Sequence, residues 1–149
     1  MRKVIVNEFL ALDGTAQGPG GADEDTSGGF QHGGWHMPHG GGDGMLKLIE
    51  DAGGFLLGRR TYELFAGYWP NAPEDTQRFA DPMNTKPKHV ASRTLTEPLE
   101  WENSTLLRAD LPAALAALKE EDGGDLLVIG STVLVQSLIQ HGLVDELRS

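Results

Sequence analysis

Short apolar runs alternate along the chain with segments of helical periodicity. The run from Lys3 to Leu12 is nearly continuous in apolar residues and β-branched in its first half, which predicts a strand buried on both faces. The turn signal Asp13-Gly14 ends that run. Further short strands are predicted at Phe55 to Gly58, His89 to Ser92, Ser104 to Leu107 and Asp125 to Gly130.

Helical patterns lie between these strands. Asp43 can cap a helix whose apolar face carries Met45, Leu48, Ile49 and Ala52. Other helices are predicted at Arg59 to Phe65, at Pro112 to Glu121, and at Thr132 to His141 with Ser131 as N-cap and Gly142 as the closing residue.

Two stretches show almost no periodicity. Thr15 to Gly42 is rich in Gly, His, Pro and acidic residues, which predicts a long loop of the kind that often serves function. Trp69 to Pro87 is predicted to be irregular, with a helical turn or two at Glu74 to Ala80.

The alternation of strands and helices predicts an α/β fold with a mostly parallel sheet covered on both faces. A length of 149 residues suits one domain, so we expect a single domain over residues 1–149. In such sheets ligands bind beyond the carboxyl ends of the strands, where helix N-termini point.

Composition narrows the choice of partners. The chain has no cysteine, which excludes disulfides, thiolate metal sites and cysteine nucleophiles and fits a reducing compartment. Its net charge of -10 repels nucleic acid and anionic lipid. No apolar run approaches the roughly 20 residues that span a bilayer. We therefore expect a soluble, unexported cytoplasmic protein that binds neither nucleic acid nor membrane.

A small anionic ligand can still bind where arginines and free backbone N–H groups converge. Three strand ends offer such groups: Gly58-Arg59-Arg60-Thr61, Ser92-Arg93 and Gly130-Ser131. A glycine before a helix lets a diphosphate approach the backbone, and arginines suit an adenosine 2'-phosphate, the usual basis for preferring NADPH. The structural alternatives are a tight turn at each glycine and a solvated arginine pair. The G-x-G-x-x-G fingerprint of Rossmann domains is absent.

Several segments, in this order, match a known family. They are Leu57-Gly58-Arg59-Arg60-Thr61-Tyr62-Glu63 with Tyr68-Trp69-Pro70, then Lys88-His89-Val90-Ala91-Ser92-Arg93-Thr94-Leu95, Val128-Ile129-Gly130-Ser131, and Gly142-Leu143-Val144-Asp145-Glu146-Leu147. They resemble the dihydrofolate-reductase-like family, in the branch of the riboflavin-biosynthesis reductase, the RibD C-terminal domain. The resemblance spans nearly the whole chain.

The resemblance implies a three-layer α/β/α domain with NADPH lying across the carboxyl edge of the sheet. By position, Gly58, Arg59, Arg60 and Thr61 hold the diphosphate and 2'-phosphate, Ser92 and Arg93 the adenosine side, and Gly130 and Ser131 the diphosphate. The loop after Asp13 covers the nicotinamide. A homodimer is also implied.

The chain departs from the family pattern at its end. Family members continue through further strands after Val-Asp-Glu-Leu, whereas this chain stops at Arg148-Ser149, so the C-terminal strands are expected to be missing. A neighbouring chain could then pair with the open edge.

The proton donor is the second departure. Trp35-His36-Met37-Pro38 resembles the Trp-x-x-Pro segment that precedes a carboxylate in dihydrofolate reductases, and Trp35 is the candidate substrate contact. Asp43 follows after a Gly-rich insert and has a simpler role as an N-cap; Asp13 is the rival acid, with a turn-forming role as its alternative. His36 and His39 have ligand-like spacing, but no carboxylate or cysteine completes a set, so no metal is predicted.

Two functions follow from these patterns. The first is an NADPH-dependent reductase of a pterin, a riboflavin-pathway pyrimidine or a related small heterocycle. The second is a non-catalytic nucleotide-binding or assembly protein on the same fold. The sequence leaves open the physiological substrate and the choice between a nicotinamide and a flavin.

Overall fold

The computed structural model describes residues 1–8, 27–29, 31–32, 43–107 and 110–148. Within them, six strands form one sheet in the order β4-β3-β2-β5-β1-β6, and each of its five pairings is parallel. The strands are β1 Val4–Asn7, β2 Gly54–Gly58, β3 Lys88–Ala91, β4 Ser104–Leu106, β5 Leu126–Ile129 and β6 Glu146–Arg148. The predicted α/β class with a mostly parallel sheet is confirmed.

Helices cover both faces of this sheet. They are α1 Asp43–Asp51, α2 Arg59–Tyr68, α3 Gln77–Thr85, α4 Leu111–Glu120 and α5 Thr132–Gln140, with short 3-10 turns at Ser27–Gly29, Trp69–Asn71 and Glu74–Thr76. α4 begins at a capped end, because the Asp110 carboxylate accepts the Ala113 N–H at 3.1 Å. α5 ends at Gln140, one residue before the predicted His141, and the predicted closing residue Gly142 has a φ of +65°, which suits the left-handed turn after a helix.

The core consists of two apolar layers, one on each face of the sheet. In one layer, Val4 and Val6 of β1 pack with Leu115 of α4 and Leu138 of α5. In the other, residues of β2, β3 and β5 pack with side chains of α1, α2 and α3, namely Phe55, Leu57, Val90, Leu127, Ile49, Tyr62 and Met83. Strand alternation sends neighbouring side chains to opposite faces, so a parallel sheet with two apolar faces needs both helical layers.

The structure corrects the sequence analysis at α3. The segment predicted to be irregular contains a nine-residue helix, Gln77–Thr85, with Pro82 inside it. An interior proline costs a helix about 3 kcal/mol, and the helical turns predicted at Glu74 to Ala80 stop before Pro82. Ala80 and Met83 are nevertheless fully buried on this helix, and their packing outweighs that cost.

The end of the sheet is a second difference. The Val-Asp-Glu-Leu segment forms β6, which pairs with β1 through the partners Ile5 with Glu146 and Val6 with Leu147. Glu146-Leu147-Arg148 contains only one apolar residue, so the segment has no strand pattern of its own. The described part of the sheet therefore has one strand more than the sequence pattern predicts.

Two lysines close helix ends at the opposite, amino edge of the sheet. The Lys86 ammonium donates to the carbonyls of Ile49 and Ala52 at the end of α1, at 2.9 and 2.6 Å. The buried Lys88 ammonium donates to the carbonyls of Met83 and Asn84 at the end of α3, at 2.8 and 3.0 Å, and lies 4.1 Å from the ring centroid of Trp101. These cations satisfy carbonyls that a helix end leaves unpaired.

Candidate functional site

The carboxyl ends of β1, β2, β3 and β5 lie at one edge of the sheet because all these strands are parallel. Gly58 is opposite Ala91, and Asn7 is opposite Ile129. β2 and β5 are direct neighbours. The three candidate segments that follow β2, β3 and β5 therefore lie along the same edge, as the sequence predicts.

Four of the predicted cofactor residues form a cluster where β2 and β5 end. The Gly58 N–H donates to the Ser131 hydroxyl oxygen at 3.0 Å, which joins the two strand-to-helix turns. A Cβ on Gly130 would lie 3.5 Å from the Thr61 hydroxyl oxygen, which places the second turn against the first turn of α2. We call Gly58, Thr61, Gly130 and Ser131 the turn cluster.

The turn after β5 uses an uncommon backbone conformation. Gly130 and Ser131 have φ angles of +60° and +58°, so two consecutive residues are in the left-handed region. A residue with a Cβ pays roughly 1–2 kcal/mol to adopt it. Ser131 adopts it, and the Gly58 bond compensates part of that cost.

Ser131 occupies the predicted N-cap position of α5, but its side chain has another role. Its hydroxyl makes no capping bond to α5 and accepts instead from Gly58. The prediction of a capping hydroxyl is wrong for this reason, while the helix start is right. Gly58 is the N-cap of α2 and also provides no side-chain cap.

Two helix N-termini therefore meet at the turn cluster without a capping side chain. Neither α2 nor α5 has an acidic residue in its first turn. The partial positive charge and the N–H groups of both first turns remain available to an anion. This arrangement suits a group with two linked phosphates better than a single helix start does.

The three predicted arginines lie close to the strand ends and differ in their contacts. Arg59 pairs with Glu63 one turn along α2 at 2.7 Å, and both side chains are about half exposed, at 43% and 49%. An exposed pair at this spacing contributes only about 0.3–0.5 kcal/mol, so a phosphate can displace Glu63. Arg60 and Arg93 are exposed.

Ser92 has a local structural role. Its hydroxyl oxygen accepts the N–H groups of Thr94 and Leu95, each at 3.1 Å. These bonds turn the chain directly after β3 and fix the backbone that carries Arg93. Ser92 therefore positions the adenosine-side segment of the predicted site.

Most of the residues predicted to contact or protonate the substrate lie outside the described part of the chain. Asp13, Trp35, His36 and His39 lie outside it. Asp43 is the first residue of α1, in agreement with the helix start predicted there.

Sequence reasoning missed an acidic residue at the same edge. Glu8 directly follows β1 and is only 7% exposed. Its Oε1 atom is buried and has no hydrogen-bond partner among the described residues. Burial raises the pKa of the Glu8 carboxyl to about 7. The signal in the sequence was the position of this acidic residue between two apolar segments, Val4 to Val6 and Phe9 to Leu12.

Two surface depressions lie away from the turn cluster. Both are shallow, of about 460 and 490 Å³, lie between α1 and α3 and share the lining residues Glu50 and Arg78. Neither is lined by a residue of the turn cluster. We assign the site by the strand ends, because the helix starts and arginines meet there.

The fold is an α/β domain whose parallel strands bring the turn cluster to the carboxyl edge of the sheet. The chain belongs to the RibD C-terminal domain family, whose model matches residues 2–149. It is similar to the "Uncharacterized protein YyaP" of Bacillus subtilis (strain 168), with 28% identity over 152 residues that cover 99% of this chain and 72% of YyaP. The family is associated with reductase activity and generally binds NADPH.

None of the helices among the described residues is long and apolar enough to cross a membrane.

Proposed function

We propose that this protein is an NADPH-dependent reductase of a small heterocycle, a pterin or a riboflavin-pathway pyrimidine. The observation that carries the proposal is the bond between the Gly58 N–H and the Ser131 hydroxyl, which holds two uncapped helix starts together. Family membership supports a reductase-like domain of the riboflavin pathway.

The residues present fit the cofactor. Gly58 and Gly130 add no side chain of their own at the turn cluster, which favours the approach of a diphosphate to the N–H groups of α2 and α5. Within the described residues, neither first turn carries a carboxylate that would repel it. Arg59, Arg60 and Arg93 supply planar donors for the 2'-phosphate.

The net charge of -10 makes the arginines important for attracting an anionic cofactor. A polyanionic cofactor approaches this surface against the overall field, so binding depends on local donors. Removing one arginine therefore weakens NADPH more than NADH, which lacks the 2'-phosphate. When bound, NADPH supplies the hydride, while the protein orients the reacting groups and excludes water.

A calorimetric titration with NADPH and NADH tests the proposal. The wild-type chain is expected to bind NADPH more tightly than NADH. Arg59→Ala, Arg60→Ala and Arg93→Ala are each measured, and the largest effect is expected to weaken NADPH by roughly 10- to 100-fold, the equivalent of one or two charge-assisted bonds. Arg78→Ala, an exposed arginine of α3, is the matched control and should leave both affinities unchanged.

Two results would overturn parts of the proposal. If the wild-type chain binds neither cofactor, the assignment of the turn cluster is wrong. If it binds NADPH tightly but consumes none with dihydropterins or with 5-amino-6-(5-phosphoribosylamino)uracil, the non-catalytic alternative is favoured over the reductase.

A further inference from the structure

Glu8 lies one strand away from the turn cluster. The Glu8 N–H donates to the Arg148 carbonyl at 3.0 Å, so the parallel ladder between β1 and β6 continues through this residue. Asn7 is paired with Ile129, and the next residues of the two strands are Glu8 and Gly130. Neighbouring strands are about 4.8 Å apart, which places the Glu8 backbone beside the left-handed turn at Gly130.

The Glu8 side chain is largely buried. Exposure alternates along β1, where Val4 and Val6 are fully buried and Ile5 and Asn7 partly so, and Glu8 continues this alternation at 7%. The alternation places its carboxyl on the face covered by α4 and α5. A carboxyl in this environment favours its neutral, protonated form.

The neighbouring elements offer Glu8 little compensation. α5 carries no titratable side chain, and β5 ends at Ile129 and is followed by Gly130 and Ser131. On β6, Glu146 and Arg148 pair with each other at 3.5 Å, and on α4 Lys119 pairs with Asp145 at 2.8 Å, while Glu120 is exposed. Burial is the cause of the raised pKa, which lies near 7.

A buried carboxyl with an unpartnered oxygen destabilises a fold unless a ligand uses it. From its place at the carboxyl edge we infer that Glu8 is the catalytic acid of this site and donates a proton to the heterocyclic substrate beside the nicotinamide. This inference rests on the proposed reductase function. It assigns the acid to a residue other than Asp13 and Asp43.

The reaction consumes a proton, which a buried carboxyl at this place can supply. Reduction of a C=N or C=O bond consumes one hydride and one proton. As the hydride forms the new C–H bond, the π electron pair moves to the heteroatom, which takes the proton from the Glu8 carboxyl. The remaining carboxylate regains a proton from water before the next turnover. A donor whose pKa is near the working pH serves both steps.

The test is the number of protons taken up when NADPH binds. At pH 7 about half of the Glu8 carboxyls are ionised, and a cofactor that buries the edge further returns them to the neutral form. Calorimetric titrations at pH 7 in buffers of different ionisation enthalpy measure this uptake. Glu8→Gln removes the titrating group and keeps its size, and Glu120→Gln on the exposed surface of α4 is the control.

We expect the wild-type chain and Glu120→Gln to take up several tenths of a proton more per NADPH than Glu8→Gln. The difference between variants cancels the titration of the 2'-phosphate itself. Equal uptake in all three proteins would overturn the role of Glu8 while leaving NADPH binding intact. Absence of NADPH binding to the wild-type chain would overturn the proposed function, and this inference with it.

Turnover gives a second readout. For a heterocycle that the wild-type chain reduces, Glu8→Gln is expected to lower kcat at least 100-fold. The kcat of the wild-type chain should fall as the pH rises through about 7, and the kcat of Glu8→Gln should not show this fall. Glu120→Gln should keep both the rate and the pH profile. If Asp13→Asn or Asp43→Asn removes the pH dependence and Glu8→Gln does not, the acid is that residue and not Glu8.

Discussion

The Gly58 N–H and the Ser131 hydroxyl oxygen are 3.0 Å apart and join residues that are 73 positions apart in sequence. This bond connects the ends of two neighbouring strands and the starts of the helices that follow them. It also gives the Ser131 side chain a partner in a backbone conformation that serine rarely adopts. Its removal should therefore affect both stability and cofactor binding.

Ser131→Ala is expected to lower the free energy of unfolding by about 1–2 kcal/mol, because the Gly58 N–H loses its acceptor at a partly buried position. NADPH affinity should fall with it, since the two turns are no longer joined. Urea unfolding and calorimetry measure the two effects. Ser137→Ala, on the same helix, is the control, and an equal small change in both variants would contradict the role of the bond.

Gly130→Ala separates backbone strain from cofactor binding. Gly130 and Gly142 have φ angles of +60° and +65°, so alanine at either position should cost about 1–2 kcal/mol of stability. A Cβ at Gly130 has an ordinary contact at 3.5 Å from Thr61, and at Gly142 it meets open space. We expect the two variants to lose similar stability in urea unfolding, whereas Gly130→Ala alone weakens NADPH. Equal NADPH affinities would place the cofactor elsewhere.

Glu8→Gln should change how stability depends on pH. The carboxyl pKa is about 7 in the folded chain and near 4.5 when unfolded, so folding favours the protonated form. The stability linked to this proton is fully present below pH 4.5 and is lost as the pH rises through about 7. Relative to wild type, Glu8→Gln should gain up to about 3 kcal/mol between pH 4 and pH 8. Parallel urea curves for the two proteins across this range would contradict the buried position of Glu8; Glu120→Gln serves as control.

Lys88→Met tests the amino edge of the sheet. The ammonium is fully buried, bonds two carbonyls at the end of α3 and lies over Trp101. Methionine fills the same volume but leaves the carbonyls unpaired, so we expect a loss of about 2–4 kcal/mol in thermal or urea unfolding. Lys47→Met removes an exposed surface pair with Asp51 and should change stability by less than about 0.5 kcal/mol. Similar losses in both variants would show that Lys88 contributes no more than a surface lysine.

Most strands and helices could be predicted from the sequence, because each has a local pattern of apolar residues or a residue that marks its end. Apolar runs located β2, β3 and β5 within one or two residues, and Gly142 located the end of α5. Only the first part of α3 was predicted, within the helical turns at Glu74 to Ala80. Pro82 is a strong local signal against a helix, whereas the burial of Met83 beside residues of α1 is a tertiary effect. β6 was missed because its pairing with β1 depends on a partner 141 positions away in sequence.

The residues of the candidate site were predictable from the sequence, but their contacts were not. Glycines, a hydroxyl and arginines at strand ends identified the turn cluster, because parallel strands bring their carboxyl ends to one edge. The contact between Gly58 and Ser131 could not be predicted, since register and the left-handed turn decide it. Glu8 was overlooked because burial, and not residue type, distinguishes it from a solvated acid. The homodimer, Asp13 and Trp35 stay predictions.

The most direct test of the account is an NADPH titration of the ¹⁵N-labelled chain followed by backbone amide NMR. We expect saturable shifts centred on Gly58, Gly130 and Ser131, with smaller shifts at Arg93 and Glu8. Lys47 and Arg78, beside the depressions between α1 and α3, should remain unchanged. Shifts centred on those two residues, or none at saturating NADPH, would contradict a cofactor site at the carboxyl edge.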